Sequence, residues 1–154
     1  MVEPLTEKEL WSKAIQYLAR REYTRKELVD KLAKLSPDNI EAVLDSLESE
    51  GYQSDRRFTE SFVRMRAAQG HGLNRIRFDL QKKGVSSNLL NEVLEELSVD
   101  WYAQAAEVYS RKYALVLKDS DYKEKSKRMR FMSQRGYSMD EIMHAISEHH
   151  SEID

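Results

Sequence analysis

Apolar residues recur along this chain at three- and four-residue steps: Leu10, Ala14, Tyr17, Leu18; Leu28, Leu32; Ile40, Val43, Leu44, Leu47; Phe58, Phe62, Met65; Ile76, Leu80; Leu90, Val93, Leu94, Leu97. The pattern continues through Ala106, Tyr109, Tyr113, then Phe131, Met132, then Ile142, Ala145, Ile146. Such spacing gathers each set on one helix face, and no apolar–polar alternation of useful length competes with it. The pattern predicts an all-α protein of about nine short helices.

The helix ends are marked as well. Thr6 with Glu9, Thr24 with Glu27 and Ser138 with Glu141 have the spacing of capping boxes, in which hydroxyl and carboxylate satisfy orphan amides reciprocally. Ser36 before Pro37 predicts a cap followed by proline at the first helical position. Ser54, Ser86, Ser98 and Asp119 or Ser120 are further candidate caps. Gly51, Gly70, Gly84 and Gly136 follow periodic stretches and suit left-handed positions just past a helix end.

These marks repeat. Leu28 and Leu32 match Ile76 and Leu80; Ile40, Val43, Leu44 and Leu47 match Leu90, Val93, Leu94 and Leu97. Gly84, Ser86, Leu90, Val93 and Leu94 match Gly136, Ser138, Ile142, Ala145 and Ile146. The period, close to 50 residues, predicts three tandem three-helix repeats at 1–51, 52–97 and 98–154, forming an elongated curved array. A single repeat of that size buries little, so neighbours are expected to cover one another's apolar faces.

Composition narrows the function classes. With 154 residues there is no room for two catalytic domains, and zero Cys removes disulfide frameworks, thiolate metal sites and cysteine nucleophiles. A mean hydropathy of −0.73 indicates a thin core. No apolar run is long enough to span a membrane, and the first residues lack a signal-peptide pattern, so a cytoplasmic location is expected. Phosphate loops, nucleophile elbows and HExxH are absent, and His144 with Glu148 is a poor basis for a metal site. No enzyme, cofactor or metal is expected. Trp11, Trp101, Tyr102, Tyr109 and Tyr113 read as core residues at helical spacing.

Charge is nearly balanced, at −2 overall, but unevenly placed. Asp38, Glu41, Asp45, Glu48 and Glu50 lie in a stretch without a base, as do Glu92, Glu95, Glu96 and Asp100. Bases concentrate elsewhere. Arg64, Arg66, Arg75 and Arg77 flank Gly70-His71-Gly72, and Lys82 and Lys83 end the following helix. Lys123, Lys127 and Arg130 follow helical spacing as a second stripe, with Lys125 and Arg128 beside it. Segregated cations of this kind favour a surface for a polyanion or an acidic protein.

Taken in order, several short motifs resemble the RecX regulators of the RecA recombinase. They include Tyr17 to Leu28 with Lys31-Leu32, Gly51-Tyr52, Asp55-Arg56-Arg57-Phe58, Phe62-Val63-Arg64 and Arg66. They continue with Gly70-His71-Gly72, Arg75-Ile76, Lys83-Gly84-Val85, Trp101, Arg111-Lys112-Tyr113, Lys127, Arg130-Phe131 and Arg135-Gly136-Tyr137. The resemblance implies a non-enzymatic modulator that binds RecA and lies in the groove of the RecA–DNA filament; the chain itself is expected to be a monomer. It also implies inhibition of recombinase, ATPase and coprotease activities, hence a role in DNA repair and the SOS response, with single-stranded DNA as a further contact. The basic residues named above are then the candidate contacts. The alternative is a helical protein acting on nucleic acid alone; the near-neutral total charge and the lack of an identifiable recognition helix count against it.

Overall fold

A computed structural model describes residue 3 and residues 5–153, side chains beyond residue 150 excepted. Among the described residues there are nine helices and no strand: α1 (Glu7–Leu18), α2 (Arg25–Ala33), α3 (Ile40–Ser49), α4 (Asp55–Ala68), α5 (Leu73–Lys82), α6 (Ser87–Leu97), α7 (Trp101–Lys112), α8 (Tyr122–Gln134) and α9 (Met139–Ile153). The fold is all-α, a tandem of three-helix repeats. The chain forms two compact units, residues 1–61 with 80–93, and residues 62–79 with 94–154, so the middle repeat contributes to both.

The capping boxes form as the spacing requires. Glu9, Glu27 and Glu141 donate backbone N–H to Thr6, Thr24 and Ser138 hydroxyls while their carboxylates accept from the cap amides. Ser54 and Ser86 cap α4 and α6 through the amides of Arg57 and Leu89.

Three expected caps are corrected. Ser36 accepts from the Asp38 amide at 3.3 Å within a turn, and α3 starts only after Asn39, which takes a left-handed φ of 67° that its short polar side chain tolerates. Ser98 also has positive φ and closes α6 by donating to the Glu95 carbonyl, leaving Asp100 to cap α7 through the Ala103 amide. Asp121, rather than Asp119 or Ser120, caps α8 through the Glu124 amide.

In the first unit, Leu10, Ala14, Leu28, Leu32, Val43, Leu44 and Leu47 are fully buried, and Trp11, Tyr17 and Ile40 pack around them. Truncating one of these leucines to Ala would cost about 2–5 kcal/mol, because the cavity adds to the lost transfer energy. The acidic face of α3 is not free. Arg25 donates to Glu41, Asp45 and Glu48, each at 2.8 Å, and the bonds to Glu41, foremost, and Asp45 raise its pKa. A base 16 residues upstream of Glu41 supplies the charge that its own stretch lacks.

In the second unit, Ala105, Tyr109, Met132, Tyr137, Ile142 and Ala145 form the core, with α7 lying along α9. Tyr102 corrects the expectation of a core residue, being 46% exposed and edge-on to His144.

Each unit contains one glycine turn into which the first turn of another repeat's middle helix packs. In the first, Thr24 Oγ1 donates to the Lys83 carbonyl at 2.7 Å, and a Cβ on Gly84 would lie 2.7 Å from the Lys26 Cβ. In the second, the Gly72 amide donates to the Arg135 carbonyl at 2.7 Å and the Asn74 amide to the Gly136 carbonyl at 3.0 Å. There a Cβ on Gly136 would lie 2.4 Å from the Arg75 Cβ. The same kind of junction is thus built twice, leaving no room for a side chain at either glycine, and at Gly136 backbone approaches backbone.

Candidate functional site

The Gly70–Gly72 turn joins α4 to α5 and belongs to the second unit. Positions 64 and 66 fall in the last turns of α4, and positions 75 and 77 near the start of α5. Arg64 is exposed and makes no hydrogen bond or ion pair among the described residues. Arg66 is half-buried: its guanidinium lies 5.0 Å from the Phe62 ring centroid, and Nη1 is 3.3 Å from His71 Nδ1. Its Nε is buried without a partner. Arg75 reaches the Gln134 carbonyl at 3.4 Å and Asp79 at 3.8 Å, and Arg77 is half-buried.

These cations surround His71. Burial first, then the charges of Arg66, Arg135 and Arg75, hold its pKa below the ordinary imidazole value, against a smaller opposing effect of Asp79. The turn is therefore a region of positive potential carrying a neutral imidazole. Arg135 comes from the end of α8, and its proximity was not visible from local spacing. The one signal is the match of Gly136 to Gly84, which marks both turns as places where another helix arrives.

Lys82 and Lys83 lie in the first unit. Lys82 is exposed, and its carbonyl accepts from Lys26 Nζ at 3.0 Å. Lys83 Nζ pairs with Glu27 at 3.1 Å, while its carbonyl accepts from Thr24. Burial raises the Glu27 pKa, but the Thr24 amide and Lys83 outweigh it and hold the carboxylate below its ordinary value. Lys83 thus has a structural task, fastening the first repeat to the Gly84 turn.

The α8 stripe is partly as expected. Lys123, Lys127 and Arg130 are exposed and line a shallow recess with Asp121, Glu124 and Ser126. None of the three has an ion-pair partner among the described residues. Arg128 is not beside them on the surface. It is 6% exposed, with Nη1 donating to the Tyr109 hydroxyl at 2.8 Å and the Leu115 carbonyl at 3.0 Å, and Nε to Glu124 at 3.0 Å. Its guanidinium also lies 4.4 Å from the Tyr113 ring centroid. Helical spacing cannot tell an outward arginine from one that closes a core; the approach of Tyr109 and Leu115 decides it.

Among the described residues no group of three His, Cys, Asp or Glu side chains is placed to hold a metal ion, and no helix is long and apolar enough to cross a membrane.

Three family models match in chain order: the first three-helix domain of RecX at residues 11–47, the second at 54–94 and the third at 98–146. The chain belongs to the RecX family. Its relatives include the regulatory protein RecX of Chromohalobacter salexigens, 40% identical over 87% of this chain and 88% of that protein. RecX of Pseudomonas fluorescens is 43% identical over 87% of each, and RecX of Haemophilus influenzae 36% identical over 91% of this chain and 94% of its own. The fold is similar to the crystal structure of RecX from Lactobacillus salivarius, with a TM-score of 0.80, 25% identity and coverage of 94% of this chain and 97% of that one. A second RecX crystal structure shares the fold, with a TM-score of 0.75 at 19% identity, over 88% of this chain and 70% of the other. The RecX relatives carry the name of regulatory proteins, not of enzymes.

Proposed function

We propose that this chain binds the RecA recombinase and the RecA–DNA filament and inhibits its recombinase, ATPase and coprotease activities, so modulating DNA repair and the SOS response. It does so in the cytoplasm as a monomer, without catalysis or cofactor of its own. The observation that carries the reading is the set of exposed cations without internal ion pairs, Arg64 on α4 and Lys123, Lys127 and Arg130 on α8, in a chain of a regulatory family. Unpaired surface cations contribute little to stability and remain available to an anionic partner. Arg66, Arg75 and Arg77 add to the positive field, whereas Lys82 and Lys83 contribute less because Lys83 is committed to Glu27. Bound along a filament, a chain with two such surfaces blocks incoming duplex and favours a state that hydrolyses ATP poorly.

The test is ATP hydrolysis by RecA on single-stranded DNA, with the chain titrated at substoichiometric ratio. Loss of hydrolysis at ratios too low to coat the DNA is the expected result; unchanged hydrolysis together with tight retardation of bare oligonucleotide would replace the proposal by action on nucleic acid alone. Arg64→Glu with Arg130→Glu should weaken inhibition while leaving the melting curve in place.

A further inference from the structure

A groove of about 490 Å³ opens within the second unit, lined by the end of α4, by α7 and by the end of α8. Ala67, Ala68 and Val108 give it an apolar strip, and Gln69 and Gln104 bring two amides, each both donor and acceptor. Three cations, Arg111, Lys112 and Arg135, share it with one carboxylate, Glu107. Arg111 pairs with that carboxylate one helical turn away. Lys112 and Arg135 then have no carboxylate within ion-pairing distance among the described residues. They sit instead against Phe131, with Lys112 Nζ 5.0 Å and Arg135 Cζ 5.3 Å from the ring centroid. Arg135 has in addition only a 3.5 Å contact to the Gln69 carbonyl.

A ring holds a partly exposed cation by about 1 kcal/mol, which fixes its place without cancelling its charge. Two fixed, uncompensated cations beside an apolar strip are the parts of a single-strand site: charge for the backbone, a dry face for a splayed base, amides for the base edge. An acidic side chain would satisfy the cations but leave the strip and the amides unused.

We infer that this groove holds one unstacked nucleotide of a single strand, with Lys112 and Arg135 on its phosphate and its base on the Ala67–Ala68–Val108 strip. The inference rests on the nucleic-acid part of the proposed function and adds contacts outside the basic clusters of α4, α5 and the α8 stripe. A duplex does not enter, because its bases are stacked and paired.

The assay is fluorescence anisotropy of the full chain with a labelled oligothymidylate, in the absence of RecA, and with a 2-aminopurine base placed mid-strand. Lys112→Glu and Arg135→Gln should each weaken single-strand binding tenfold or more and abolish the 2-aminopurine change. Lys13→Glu, which changes charge on α1 by as much as Lys112→Glu and by more than Arg135→Gln, should leave both in place, and duplex of the same sequence should bind more weakly. Unchanged affinity in both variants overturns the inference. So does duplex binding as tight as single-strand binding, or displacement of the oligonucleotide by polyglutamate at equal charge concentration. RecA hydrolysis is read separately: surviving inhibition together with unchanged oligonucleotide affinity in both variants keeps the proposed function and removes the groove, whereas groove-dependent oligonucleotide binding without inhibition does the opposite.

Discussion

Replacing Gly136 by Ala tests the idea that a backbone-to-backbone junction holds the second unit. Two effects add at this position. The residue has a φ of 102°, where a side chain costs about 1–2 kcal/mol, and the new Cβ would lie 2.4 Å from the Arg75 Cβ and 2.6 Å from its amide nitrogen. Neither neighbour is the far end of a flexible chain, so the helix itself must shift, at a cost of about 1–3 kcal/mol by analogy with overpacked cores. Lower entropy of the unfolded chain returns about 0.4–1 kcal/mol. The net expectation is a loss of about 1–5 kcal/mol, centred on about 3 kcal/mol, or about 2–20 °C in Tm for a chain of this size. Gly51 is the matched control: its φ is 81°, yet a Cβ there meets nothing within 4 Å, so Gly51→Ala should lose only about 1 kcal/mol. Both variants are compared by far-UV circular dichroism through thermal and urea unfolding. Equal losses would mean that backbone strain alone sets the cost and that the junction with Arg75 is not tight.

Other outcomes follow from single residues. Arg128→Met should cost about 1–3 kcal/mol in urea unfolding, since the Tyr109 hydroxyl and Leu115 carbonyl lose their buried donor, while oligonucleotide affinity stays within twofold. Glu27 titrates below its ordinary value in the folded chain, so its contribution is full above about pH 4.5 and is lost as pH falls through the lower folded value; Glu27→Gln should flatten that acid limb of the stability profile. His71 is likewise lowered, so the folded chain loses stability as pH falls from about 6.5, where the unfolded imidazole begins to charge; His71→Gln should remove that loss in chemical unfolding across the same range. An undiminished loss in the variant would place the titration elsewhere.

Helix type, helix count and most helix ends were legible in the sequence because their causes are local. The step of three and four residues fixes which face is apolar, and a Thr or Ser with Glu three places on closes its own cap. Leu28 with Leu32 and Ile76 with Leu80 are all fully buried, as the repeat required. Local signals misled where two compete: Ser36 caps a turn instead of a helix, because Asn39 can take the left-handed conformation that starts α3 later. The fates of the charged residues were not legible. Arg25 is drawn to three carboxylates of α3, Lys83 to Glu27, and Arg128 into a core by Tyr109 and Leu115, each by partners 13 to 56 residues away that packing alone delivers. Arg128 and Lys127 are neighbours in sequence with the same charge, yet one is buried and the other exposed. The sequence by itself determined the periodic apolar faces, the repeat and the supply of cations, since these depend on residue order within a few turns. Only the tertiary structure decided which cations are consumed internally and which stay open, because an ion pair is set by distance in space, and that distance exists only once the repeats have packed.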